Sequence, residues 1–310
     1  MSEQRMAWIA EDPTSKAVVE LARKVAETST TLLITGESGT GKDHLARLIH
    51  ELGPRRDAPY LKIDCASLPQ ELVESELFGH ERGAFTGAVE RKLGRLEMAG
   101  AGTIVLDEVA ALSPATQSKL LRVLEERQFE RLGGTETIMI DARLIALTNS
   151  DLSRLVSDGR FREDLFFRLS VLTISVPPLR SRHADILPLA DALLERAARV
   201  HGRTGVVFSD AARHMLATYG WPGNVRELKN SIERALVFSS GPALTPQDFP
   251  ESVQAADSGH GIALRSLEDI ERDAIHATLE ATHYKIGKSA AILGISRKTL
   301  LDKRKKFGLS

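Results

Sequence analysis

The residues of this chain best suited to chemistry are a glycine-rich loop, GESGTGKD (36–43), and two adjacent carboxylates, Asp107 and Glu108, that end the run TIVLDEV. Gly36, Gly39 and Gly41 let backbone N–H groups curl around phosphates at the N-terminus of a helix, and Lys42 reaches the terminal phosphates. The candidate nucleotide-binding residues here are therefore Gly36, Glu37, Ser38, Gly39, Thr40, Gly41, Lys42 and Asp43. The generic form of the loop ends in Ser or Thr, whose hydroxyl meets magnesium; this chain has Asp43 there, which argues against a generic small GTPase. Asp107 and Glu108 follow Lys42 by 65 residues on an apolar run that reads as a buried strand. Asp107 there can hold Mg²⁺, directly or through water, and Glu108 can polarise an attacking water. Together the two segments predict ATP hydrolysis, with ATP and Mg²⁺ as cofactors.

The surrounding pattern supplies the elements that must position these groups. Residues 14–28 read as an amphipathic helix with Val18, Leu21, Ala22 and Val25 on one face. TTLLIT (30–35), PYLKIDC, GTIVLDEV and DARLIALTN read as strands, with helical segments such as HLARLIHEL and SPATQSKLLRVLEER between them. Ser113 can cap the last of these, with Pro114 at its first position. Strands alternating with helices predict an α/β fold with a largely parallel sheet. After Pro177-Pro178 the periodicity becomes helical, broken by GRTGVVFS and YGWPGN, which predicts an all-α unit. PESVQAADSGHG is polar and non-periodic, a linker. The expected organisation is thus 1–175, 176–249, a linker over 250–262, and 263–310.

Composition narrows the class. With 310 residues, 42% of them hydrophobic, the chain can bury a sizeable core. The start, MSEQRMAWIAEDP, has neither the basic nor the apolar segment of a signal peptide, and no run approaches the roughly 20 apolar residues of a membrane span. The single cysteine, Cys65, fits a reducing cytoplasm. Net charge is −1, but from Lys285 onward eight Lys/Arg oppose only Asp302, so an acidic body carries a basic tail suited to a polyanion. In that tail SLEDIERDAIHATLEAT reads as a helix with Leu267, Ile270, Ala274 and Ala277 aligned. KSAAILGIS then gives a short helix, a Gly294 turn and Ser296 as N-cap. The helix RKTLLDKRKKFG follows, with Leu300, Arg304 and Phe307 sharing a face. This is a helix-turn-helix, for which Lys288, Ser296, Arg297, Lys298, Thr299, Lys303 and Lys305 are the candidate DNA-binding residues; Asp302 faces a base edge or solvent. A single motif of this size binds weakly, so a dimeric inverted-repeat site is expected.

One stretch, FGHERGAFTGAVERK (78–92), suits neither helix nor strand. Gly83 and Gly87 bracket a lone aromatic, Phe85, with Thr86 beside it. Each glycine costs about 1 kcal/mol in a helix interior and adds nothing to a strand. With GESGTGK, ELFGHERGAFTGA, GTIVLDEV, FREDLFFRL and WPGNVREL in this order, the chain from about residue 6 to 310 resembles the bacterial enhancer-binding proteins. These are AAA+ ATPases that activate sigma-54 RNA polymerase. The resemblance implies an AAA+ P-loop sheet, a helical lid and a Fis-type helix-turn-helix. It implies that Gly83, Ala84, Phe85, Thr86, Gly87 and Ala88 form the sigma-54-contacting loop, with Phe85 and Thr86 at the contact, raised and lowered by ATP turnover. Glycine supplies the backbone freedom there and the ring supplies contact area.

The resemblance also implies that Arg162 and Arg168 are arginine fingers for a neighbouring subunit's ATP, which makes activity depend on assembly. Thr148 and Asn149 match sensor I, and Arg226 matches sensor II. The family is usually acidic at the position of Asp43. Two positions depart from its pattern. Asp64 stands where Asn commonly bonds the catalytic glutamate, and an ionised Asp64 would repel Glu108. MAWIAEDP lacks the glycine usual near the adenine pocket, so no adenine contact is assigned. The expected partners are the sigma-54 holoenzyme, enhancer DNA, and a ring of identical subunits, hexameric in expectation, or one completed by a homologous co-activator. Only 35 residues precede Gly36, too few for the receiver or ligand-sensing domain most members carry, so control is expected from a separate inhibitor protein, a paired activator or abundance. Competing readings are another AAA+ remodeller and a nucleotide-regulated repressor. GAFTGA and the terminal helix-turn-helix argue against the first, and intact Glu108, Arg162 and Arg168 against the second.

Overall fold

The computed structural model describes residues 8–254, 267–282 and 284–307. Residues 255–262 of the linker fall outside these, as do the side chains of Leu267, Ile270 and Ala277. Residues 1–254 and 255–310 are two separate compact units.

The first unit is built on five parallel strands, β1 (Leu32–Thr35), β2 (Tyr60–Asp64), β3 (Thr103–Asp107), β4 (Arg143–Thr148) and β5 (Leu172–Ser175), in the order β2-β3-β4-β1-β5. The four segments read from the sequence as strands are the first four of these. β5 escaped that reading because it is an edge strand whose burial alternates, leaving no continuous apolar run.

Helices cover both faces, which is why the central strands are apolar throughout. Val105, Ile145 and Leu147 point to one face and pack with Ala22 and Val25 of helix Pro13–Ala26 and with Leu45 and Ile49 of helix Lys42–Leu52. Their alternates Leu106, Leu144 and Ala146 point to the other face, against Leu120 and Val123 of Pro114–Glu126 and Leu165 of Glu163–Leu169. Leu21, expected on the buried face of the first helix, is instead 41% exposed, one step around from Val18 and Ala22. Ser113 caps its helix as expected, accepting from the Thr116 N–H at 3.1 Å.

Two antiparallel hairpins are inserted between these elements: Gly79–His80 with Lys92–Leu93, and Gln128–Glu130 with Thr137–Met139. Each is too short to leave a periodic signature. The lid that follows packs the helices His183–Val200, Asp210–Thr218 and Asn224–Phe238 around Trp221, which is fully buried. It is helical as expected, apart from a two-residue parallel ladder between Val207–Phe208 and Ala243–Leu244.

The second unit is three helices, Leu267–Ala281, Ile286–Ile292 and Arg297–Lys306, around Ile275, Leu279, Ala290 and Leu300.

Candidate functional site

Parallel register aligns the C-terminal ends of the strands, the edge where α/β sheets bind ligands. Thr35 pairs with both Thr148 and Ser175, and Asp64 pairs with Asp107. The loop 36–41 leaves β1 at this edge and enters the helix beginning at Lys42. Lys42 is largely buried, and its ammonium donates to the carbonyls of Gly36 (2.8 Å) and Glu37 (3.1 Å). Burial pulls its pKa below the ordinary value, opposed by the nearby charges of Glu108 and Asp107. Gly39 has φ +78°, and a Cβ there would stand 2.5 Å from the Gly223 carbonyl. The loop can therefore lie against the lid only because this residue is glycine.

Asp43 and Asp107 are joined by a lysine that sequence reasoning did not single out. The Lys62 ammonium lies 3.0 Å from Asp43 Oδ1 and 2.7 Å from Asp107 Oδ2. Two hard carboxylate oxygens within reach of one cation suit Mg²⁺, which takes one or two carboxylates and completes its shell with water and phosphate. Among the described residues no group of three or more His, Cys, Asp or Glu could hold a metal ion.

Glu108 is held in left-handed backbone geometry, φ 53°, and its Oε2 accepts from the Asn149 N–H at 3.1 Å. A strained carboxylate residue at a strand end is a mark of functional sites. Asp64 does not touch Glu108. Its Oδ1 accepts from the N–H groups of Ala66 (3.0 Å) and Ser67 (3.1 Å), capping the turn after β2. Its carboxylate and those of Asp107 and Glu108 act on the buried Cys65 behind them, but burial is the larger cause pushing that thiol up to about 12. Thr148 is fully buried, its hydroxyl accepting from the Ser150 N–H, whereas the neighbouring Asn149 lines the cleft.

That cleft, about 690 Å³, runs between the glycine loop and the lid and is lined by Glu37, Ser38, Asn149, Gly223 and Arg226 among others. Arg226 donates to Ser38 Oγ at 2.6 Å, so the expected sensor arginine does reach the loop within the chain. Asn224, which the sequence did not flag beyond its motif, does more. It is fully buried with φ 54°, its Oδ1 accepts from the Leu179 N–H, and its Nδ2 donates to Glu37 Oε2 and the Ser38 carbonyl. Arg180 completes the clasp with two hydrogen bonds to the Glu37 carboxylate. Hydrogen bonds from Arg180 and then Asn224 hold the Glu37 pKa down at about 2.

A second tie runs through buried Arg182, which donates to the Thr40 carbonyl at 2.7 Å. Beside it, buried Asp185 accepts from the N–H groups of Glu11 (2.7 Å) and Asp12 (2.8 Å). Trp8 stacks on His44 with ring centroids 5.6 Å apart and closes the loop on that side.

Arg162 and Arg168 are exposed and turned to other partners. Arg162 is ion-paired with Asp164 at 2.7 Å, and Arg168 donates to the Leu124 carbonyl.

Residues 83–88 form a tight turn closed by Gly83 N–H to Ala88 O (2.8 Å) and Ala88 N–H to Phe85 O (3.0 Å). Gly83 and Gly87 have φ +82° and +108° with open space around them, so here glycine serves conformation and not close approach. Phe85 is 41% exposed, and its ring stands edge-on to His80 at 4.9 Å. The second hairpin, unnoticed in the sequence, braces this turn. Glu81 N–H donates to Leu132 O, Leu132 N–H donates to Gly79 O, and a Cβ on Gly133 would meet that of Ala84 at 2.8 Å. Arg131, only 4% exposed, bonds Glu97, Glu81 and Glu136, chiefly Glu97, and these hydrogen bonds outweigh burial to raise its pKa. The Gly-Gly pair after RL was the one local signal of that turn.

In the second unit Ser296 caps the last helix, accepting from the Thr299 N–H at 3.0 Å. Gly294, φ +66°, makes the turn before it. Lys288, Arg297, Lys298, Asp302 and Lys305 are exposed. Lys303 is instead engaged with Glu271 of the first helix at 2.6 Å, so its ammonium is tied inward.

Comparison with known proteins shows the family and the fold. A signature described as Sigma-54 interaction domain matches residues 8–175, more than half of the chain. The chain belongs to the sigma-54-dependent transcriptional regulators. The AAA+ ATPase lid domain matches residues 180–263, and the Fis family of bacterial regulatory proteins matches 266–307. This regulator is 44% identical over 303 residues to the transcriptional regulatory protein ZraR of Klebsiella oxytoca, covering 96% of the chain and 68% of that protein. It is 46% identical over 299 residues to the alginate biosynthesis regulator AlgB of Pseudomonas aeruginosa, covering 96% and 66%. The chain therefore spans about two thirds of the length of these relatives. A crystal structure of NtrX from Brucella abortus in complex with ATP superimposes with a TM-score of 0.75 at 34% identity, over 98% of the chain and 70% of NtrX. Another, in complex with ADP, gives 0.75 at 32% identity. The regulator thus has an AAA+ ATP-binding domain, a lid and a DNA-binding helix-turn-helix. Among its described residues, no helix is long and apolar enough to cross a membrane.

Proposed function

We propose that this regulator hydrolyses ATP and uses the cycle to convert the closed sigma-54 promoter complex into an open one. The observation that carries the reading is the convergence of Lys42, Asp43, Asp107 and Glu108 at one end of the sheet, in the same compact unit as the braced 83–88 turn.

In this reading the N–H groups of the glycine loop and the Lys42 ammonium bind the phosphates once Lys42 turns from the Gly36 and Glu37 carbonyls. Asp107 and Asp43 would hold Mg²⁺, which would supply charge neutralisation at the phosphates. Glu108 orients a water and accepts its proton as that oxygen bonds the γ-phosphorus and the bond to the bridging oxygen breaks, giving ADP and phosphate. Its bond to the Asn149 N–H holds the carboxylate in place. Arg226 answers the nucleotide from the lid, and Trp8 stacked on His44 walls the loop beside Gly41. Arg162 and Arg168, both exposed, serve a neighbouring subunit in a ring. Phe85 and Thr86 grip sigma-54, and the exposed cations of the last helix, Arg297, Lys298 and Lys305, with Lys288, hold enhancer DNA.

The test is steady-state ATPase against protein concentration, run beside open-complex formation by sigma-54 polymerase on a supercoiled or premelted promoter. Turnover per subunit should rise steeply with concentration, and open complexes should require hydrolysable ATP. ATPase without open complexes, or no ATPase at any concentration, would sink the reading.

A further inference from the structure

We propose that Lys62 is a built-in counter-cation of the magnesium site, which must leave Asp43 and Asp107 before a divalent ion can bind them. The inference rests on the reading of those two carboxylates as the magnesium residues, and adds a control that no motif of the chain announces.

Lys62 sits in β2, directly beside Val105 of β3, two residues before Asp107. Its stem rises along the sheet to place Nζ between a carboxylate at the start of the loop helix and one at the end of β3. One ammonium thus gathers two carboxylates from different elements, contacting one oxygen of each. Lys62 and Asp107 are only 33% and 20% exposed, so water screens this pair less than a surface ion pair. At 3.0 and 2.7 Å the Lys62 ammonium competes with a metal for these carboxylates.

Mg²⁺ gives up its water reluctantly and demands octahedral geometry, so it gains less from two carboxylates whose charge a lysine already half offsets. A nucleotide changes the balance, because its phosphates bring further oxygen ligands and negative charge. Lys62 can then swing aside on its flexible stem, toward the phosphates or solvent. The consequence is that metal enters with nucleotide and not ahead of it.

The test is Mn²⁺ binding to the full chain without nucleotide, followed by the loss of the free-ion electron paramagnetic resonance signal. Wild type should bind weakly. Lys62→Met should bind at least tenfold more tightly, Lys62→Arg should stay weak because it keeps the cation, and adding Asp107→Asn to Lys62→Met should abolish the gain. Circular dichroism and thermal unfolding check that each variant is folded; if Lys62→Met is not, Lys62→Gln takes its place. A folded Lys62→Met or Lys62→Gln that binds Mn²⁺ no more tightly than wild type overturns the proposal, as does a gain that survives Asp107→Asn. A separate ATP titration of wild type distinguishes the two readings: no ATP binding would defeat the nucleotide site itself, whatever the manganese result.

Discussion

The Asn224 amide meets the Glu37 carboxylate at 3.1 Å across 187 residues of chain, while its own carbonyl accepts from the Leu179 N–H at 2.7 Å. One buried side chain therefore ties the glycine loop, the lid helix and the connection between sheet and lid. Asn224→Ala should cost about 1–3 kcal/mol in denaturant unfolding, since the Leu179 N–H is left buried without a partner. It should also weaken ATP binding by loosening Arg226. Asn224→Gly suits the φ of 54° but restores neither bond, so it should recover only the backbone part of the loss.

Acid should weaken this clasp. The Glu37 pKa is held at about 2, below its ordinary value of 4.5. A group depressed on folding stabilises fully above its unfolded pKa and loses that contribution as pH falls toward the folded one. Unfolding free energy measured from about pH 6 to pH 3 should drop more steeply for wild type than for Glu37→Gln, the two converging in acid. The effect should be small, because the Glu37 side chain is 43% exposed.

Cys65 should behave as an inert thiol. It is buried behind the strand ends with its pKa pushed up to about 12, so at mildly alkaline pH almost none is thiolate. A thiol reagent should label one site per chain in denaturant and essentially none in the folded protein. Rapid labelling of the folded chain would mean that the turn after β2 opens readily.

Phe85→Ala should separate motor from grip. The ring is 41% exposed and stands edge-on to His80, so the loss of stability should be on the order of 1 kcal/mol or less. ATPase should persist while open complexes disappear. Arg131→Ala should do more harm to folding, because it strands the carboxylates of Glu97 and Glu81 in a partly buried network.

In the terminal unit, Arg297→Ala and Lys298→Ala should each lower DNA affinity and reduce the salt dependence of binding by about one unit of slope. Lys303→Ala should behave differently. Its ammonium is bound to Glu271, so the change should mainly lower the unit's thermal stability, by up to about 1 kcal/mol, and leave the salt slope nearly unchanged.

The sequence by itself determined the sheet's four inner and flanking apolar strands, the phosphate loop, the helical lid and the terminal helix-turn-helix. Each of these is written in local spacing: β1, β3 and β4 as apolar runs, the loop as glycines before a lysine, the last helix as Ser296 before its first turn. Tertiary structure alone decided which charges meet. Lys62 faces Asp43 and Asp107 only because parallel register sets β2 beside β3; Asn224 reaches Glu37 only because the lid folds back on the loop; and Arg131 braces the 83–88 turn only because two short hairpins come together. Asp64 shows the same division. The residue type suggested repulsion with Glu108, whereas backbone N–H groups two and three residues onward satisfy its carboxylate locally and leave Glu108 to Asn149. Local propensity and periodicity are carried by neighbours in the chain, but a hydrogen bond or ion pair between distant residues exists only once packing has set their separation.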